Sequence, residues 1–141
     1  MADVLDARVV LAFSSDWPCF WPPNPFLSIQ EAVTREIWHS DDTANVIDLP
    51  LDGAWQAGAR RTGKFYTPEQ RVSARGAIDA YTRAAAYSEF AEKDLGTLET
   101  GKLADLAVLS QDVFSVPPSR IGATQVVLTL LGGRVVFEAA H

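Results

Sequence analysis

With 141 residues the chain suffices for one ordinary domain and falls far short of the roughly 250 residues of a complete (β/α)8 barrel, so any barrel reading is a partial one. A composition that is 48% hydrophobic and 21% charged belongs to a packed core under a solvated skin and excludes a disordered tail. The net charge of -6, with no basic cluster beyond Arg60-Arg61, excludes nucleic acid as an expected partner, and no apolar run approaches the roughly 20 residues that cross a bilayer.

In chain order, residues 8–13, Arg-Val-Val-Leu-Ala-Phe, form a short apolar run of the kind expected of a strand buried on both faces. It ends in Ser14-Ser15-Asp16. A proline-bearing loop follows, and Asn24-Pro25 supplies an N-cap and a first helical proline. Phe26, Ile29, Val33 and Ile37 fall at helical spacing, which predicts a helix over about 24–38.

Residues 39–72 lack sustained periodicity and read as a long excursion or lid-like loop. Ser73 is the expected N-cap of the next helix, over about 74–90, with Val72 and Ala77 as a hydrophobic staple. From Gly96 the period changes. Residues 96–98 and 104–109 read as two short β-segments around a turn at Thr100-Gly101-Lys102. Residues 125–131 and 134–138 then flank Gly132-Gly133, a pair that tolerates positive φ and suits a two-residue hairpin.

Few residues carry chemistry. Asp16 stands at the C-terminal end of the first predicted strand, where α/β sheets place reactive groups. A carboxylate there can bind a divalent metal, move a proton, or simply cap the turn that follows. Trp17, Phe20 and Trp21 can line a substrate pocket at the strand mouth or pack a loop over the core. His39 and His141 have no metal-ligand spacing, and His-X-His and paired-cysteine motifs are absent. Cys19 lies among aromatic residues without a nearby cation, as a packed thiol does. Being single it makes no internal disulfide, and with no signal-like start to the chain a cytoplasmic setting is expected.

Three stretches taken in order resemble amidohydrolase family 3. They are Phe13-Ser14-Ser15-Asp16-Trp17-Pro18 with Asn24-Pro25-Phe26 and Ala32-Val33-Thr34-Arg35; Pro68-Glu69-Gln70-Arg71-Val72-Ser73 with Ala80-Tyr81-Thr82; and Gly96-Thr97-Leu98-Glu99-Thr100-Gly101-Lys102-Leu103-Ala104-Asp105-Leu106. The resemblance implies an α/β fold: the last βα unit of a (β/α)8 barrel, further helices, and part of a small C-terminal antiparallel β domain that the family builds from both chain ends. It divides the chain into a partial barrel segment over 1–95 and a β segment over 96–141.

Family members hydrolyse non-peptide C–N bonds, N-substituted formamides among them, with a metal at the barrel mouth. By resemblance Asp16 is the aspartate after the eighth barrel strand, a metal-site residue that takes a proton from the attacking water and passes it to the leaving nitrogen. The family's His-X-His, its middle Lys or Glu ligand and its later histidines have no counterpart, and Ser14 stands where a glycine is usual. Thr100 likewise replaces a common proline.

The expectation is thus a C-terminal portion of a small-molecule amide hydrolase, inactive by itself. Its divalent metal, zinc by expectation, belongs to the complete enzyme and is not stably held by this chain. A complementary N-terminal chain or a second copy is the expected partner, because the run 8–13 has no neighbouring strand encoded before it. The alternative is a non-catalytic module that keeps the tail fold and binds itself or another chain.

Overall fold

The computed structural model of the chain describes residues 1–16, 24–40, 59–65 and 67–140. A short helix, α1 (Ala2–Asp6), opens it. The Met1 amino group donates to Gln70 Oε1, and Gln70 Nε2 donates to Asp3 Oδ2 at 2.7 Å, which ties this start to a 3-10 turn at Pro68–Gln70.

The expected strand over 8–13 is not formed. Residues 9–15 carry no regular structure, and Val9 and Val10 are 55% and 54% exposed. The reason is physical: a strand exists through its ladder to a neighbour, and among the described residues none pairs with this run.

Helix α2 (Pro25–Thr34) starts as its sequence predicts, with Asn24 Oδ1 accepting from the Phe26 N–H at 3.0 Å. It stops at Thr34, not near 38. Arg35 turns left-handed (φ 54°) and caps the helix, while the Thr34 hydroxyl donates back to the Gln30 carbonyl at 2.8 Å. The Thr34 carbonyl, left without a helical partner, accepts from Arg71 Nε at 2.9 Å. Ile37 therefore leaves the helical stripe and enters β1 (Glu36–Ser40), which pairs antiparallel with β2 (Ala59–Phe65). The stretch 39–72, read as a long excursion or lid-like loop, thus holds a strand; its residues 41–58 and 66 lie outside those described.

Ser73 caps α3 (Ala74–Tyr81) as expected, its Oγ accepting from the Gly76 N–H at 3.0 Å. The single helix expected over 74–90 is two. At Thr82 (φ -119°, ψ -86°) the backbone leaves helical geometry and restarts as α4 (Arg83–Ser88). Asp79 and Arg83 bridge the break through a two-pronged ion pair at 2.7 and 2.8 Å.

A second sheet closes the chain in the order β3 (Leu106–Leu109), β4 (Val126–Leu131), β5 (Arg134–Glu138), antiparallel throughout. The Gly-Gly hairpin is as predicted: Gly132 and Gly133 take φ of 55° and 76°, and Asp105 Oδ1 accepts from the Gly132 N–H at 2.6 Å. Residues 96–98, expected as a β-segment, form none. Instead Leu103 N–H donates to the Asp94 carbonyl at 2.9 Å, and Lys102 Nζ donates to the Glu92 and Leu95 carbonyls at 2.7 and 3.3 Å, folding the stretch into a strapped turn.

The core sits where α2, α3 and a 3-10 turn at Pro118–Ala123 meet, around Phe26, Ile29, Ala32, Val72, Ala77, Val113 and Ile121. Gln30 is buried among them at 1% exposure; its Oε1 accepts from the Gly122 N–H at 2.7 Å. A Cβ on Gly122 would stand 2.9 Å from Leu27 Cδ2 and 3.0 Å from Gln30 Oε1, so the turn approaches α2 as closely as a glycine allows.

Candidate active site around Asp16

Asp16 ends the irregular segment 9–16 and is exposed. Its backbone is left-handed (φ 49°), a conformation that aspartate adopts more readily than most residues. Ser14 Oγ accepts from the Asp16 N–H at 3.0 Å, so the hydroxyl serves to shape the turn that presents the carboxylate.

The segment meets the body of the protein at Phe13. Its N–H donates to the Ala80 carbonyl at 3.0 Å, and its ring meets Tyr81 edge-on, with centroids 5.5 Å apart and planes at 74°. Both partners sit at the C-terminal end of α3, just before the break at Thr82. Sequence reasoning missed this pair. The only signal was Tyr81 itself, a large ring among alanines on a helix otherwise suited to close packing.

Trp17, Phe20 and Trp21, the expected pocket residues, lie outside the described residues, as do Cys19 and His141. His39 falls in β1. Among the described residues no three His, Cys, Asp or Glu side chains gather where they could hold a metal ion. Asp16 is a single donor against the roughly four of a closed zinc site, so the described residues do not by themselves fit the metal that the resemblance implies.

Two concavities are lined by described residues, and Asp16 lines neither. An apolar groove of about 810 Å³ runs between the helices and the second sheet, past Phe26, Ile29, Tyr81, Leu106 and Phe114. A more polar one, of about 620 Å³, is bordered by Val9, Val10, Arg83, Glu92 and Lys102. Two oppositely charged pairs meet there: the Arg83 hydrogen bond holds the Asp79 carboxyl below the usual carboxylate range, while Lys102 faces Glu99 at 3.6 Å. On α2, burial pushes the Glu31 carboxyl up, and Arg35 partly offsets that.

A sequence profile described as the amidohydrolase family matches residues 1–137. Protein LONG AFTER FAR-RED 3 of Arabidopsis thaliana is 31% identical over 95% of the chain and 19% of its own length. A Bacillus subtilis protein named as an amidohydrolase, YtcJ, is 28% identical over 96% of the chain and 22% of its own length. The N-substituted formamide deformylase of Arthrobacter pascens is 29% identical over 81% of the chain and 21% of its own length. The chain thus spans about a fifth of the length of the curated relatives it matches. No solved structure matches it.

Proposed function

The chain belongs to the amidohydrolase family, and from that premise we propose that it is the C-terminal, Asp16-bearing portion of a hydrolase of non-peptide C–N bonds. The observation that supports this most is the family match running through residues 1–137 with an exposed, turn-presented aspartate at the end of its first segment. Amide or formamide substrates follow from the deformylase among the relatives. In the assembled enzyme Asp16 accepts a proton from the water that attacks the carbonyl carbon. As the C–N bond breaks it returns that proton to the nitrogen, which leaves as a neutral amine. A divalent metal, zinc by preference, would lower the pKa of the attacking water in the complete protein. Its remaining ligands would come from outside the described residues. The single Cys19 favours a cytoplasmic setting. Among the described residues no helix is long and apolar enough to cross a membrane.

The test is reconstitution. The 141-residue chain alone is expected to release no amine from an N-substituted formamide, and supplying a complementary N-terminal chain is expected to start turnover. Stoichiometric zinc retained through dialysis, together with turnover by the chain alone, would overturn the division of labour between the two parts.

The exposed apolar surface favours a second reading, a self-associating module. Val9 and Val10 lie uncovered, and on β5 Val135, Val136 and Phe137 are 58%, 59% and 48% exposed. Two copies satisfying each other by isologous pairing would cover them. Sedimentation equilibrium at micromolar concentration is expected to give a species heavier than 15.4 kDa. A monomer with a cooperative melt would end this reading.

A further inference from the structure

We propose that Tyr81 is a positioning residue for Asp16, acting through Phe13; its catalytic importance, though not the tether itself, rests on the proton-transfer role given to Asp16 above.

Between Val10 and Asp16 the chain has no ladder to hold it, since residues 9–15 form no strand. Among the described residues its one backbone hydrogen bond to the body of the protein is Phe13 N–H to the Ala80 carbonyl, at 3.0 Å. The adjacent Tyr81 ring stands edge-on to Phe13 at 5.5 Å, and both rings pack against the buried core cluster. Two consecutive residues of α3 therefore grip one residue of the segment, by its backbone and by its ring. Three residues further on, Asp16 is exposed and its backbone hydrogen bond, to Ser14 Oγ, stays within the segment. Among the described residues no hydrogen bond between Phe13 and Asp16 adds a second anchor to the body of the protein. The place of the carboxylate is then set at Phe13 and propagated through the Ser14 turn.

The ring, more than the phenol hydroxyl, carries this role. No described residue hydrogen-bonds the Tyr81 hydroxyl, whereas an edge-to-face pair needs the aromatic quadrupole and the planar shape. Tyr81→Phe keeps both. Tyr81→Leu keeps apolar volume but loses the edge contact, and so frees Phe13 without emptying the core.

Amide hydrogen exchange on the 141-residue chain reads the tether directly. In Tyr81→Leu the Phe13 amide is expected to exchange at least about tenfold faster relative to the Ala77 amide of the same helix, and in Tyr81→Phe to stay within about twofold of the parent. Phe13→Leu removes the pair from the other side and should reproduce the effect, which keeps the test usable if Tyr81→Leu does not fold. In the reconstituted enzyme Tyr81→Leu is expected to lower kcat about 10- to 100-fold with KM little changed, and Tyr81→Phe to restore it, because a displaced acid–base group slows proton transfer more than binding. Unchanged relative exchange of the amide at position 13 in the leucine variants overturns the tether. Faster exchange with undiminished kcat, where Asp16→Asn is inactive, overturns the positioning role. Full activity in Asp16→Asn, with the exchange effect present, overturns the proton-transfer role of Asp16 and leaves the tether standing.

Discussion

Asp16→Asn in the reconstituted enzyme is expected to lower kcat by about 10²- to 10⁴-fold, the range a positioned acid–base group contributes. Asparagine matches aspartate in size and in its tolerance of left-handed backbone, so the φ of 49° at this position and the Ser14 hydrogen bond survive the substitution. What is lost is the capacity to take and return a proton. Because substrate binding does not depend on that exchange, KM should change little. Asp112→Asn is the matched control. That carboxyl is also exposed and also shapes a turn, held below its usual range by the Ser115 hydroxyl and the Phe114 N–H, but it lies far along the chain in a different turn. Its variant should retain turnover. Equal activity in the Asp16 variant and the parent would remove Asp16 from the mechanism.

Local chemistry was legible in the sequence wherever it was decided locally. Asn24-Pro25, Ser73 and Gly132-Gly133 act where they were expected to, since a cap or a tight turn is settled by a side chain and a few neighbouring backbone groups. The errors fall where partners distant in sequence decide. The apolar run 8–13 has strand character, but pairing makes a strand, and no described neighbour supplies it. Ile37 continues a helical stripe by spacing, yet Arg35 ends the helix and pairing with β2 claims the residues beyond. Residues 96–98 look like strand by composition and are held instead by the lysine strap of Lys102, whose carbonyl partners no periodicity announces. For the candidate site, the sequence proposes Asp16 as the reactive group and does not announce the contact of Phe13 with Ala80 and Tyr81, because a tether made by one carbonyl and one ring edge leaves no motif.

The lysine-strapped turn also sets the largest expected stability loss, at Gly96→Ala. Gly96 has φ of 89°, where an L-residue is strained, and a Cβ there would stand 2.8 Å from Ala86 Cβ, 3.0 Å from Arg83 Cα and 3.1 Å from the Thr82 carbonyl oxygen. Two of these three neighbours are backbone, which cannot swing aside as a long side chain does. Strain of about 1 kcal/mol and overpacking of about 1–3 kcal/mol give an expected loss of roughly 2–4 kcal/mol, a large part of the roughly 5–15 kcal/mol that holds a domain of this kind. Gly101→Ala separates the two contributions: Gly101 has φ of 97° but nothing within 4 Å of its would-be Cβ, so it should lose only about 1 kcal/mol. Denaturant unfolding with unchanged m would measure both. Equal losses at the two glycines would mean that close approach at Gly96 is not what makes it necessary. A larger loss at Gly96 would show that the turn braces the helix break at Thr82, the residue next to Tyr81. The same substitution should then loosen the Phe13 amide, because a crowded turn would displace the end of α3 that grips the Asp16 segment.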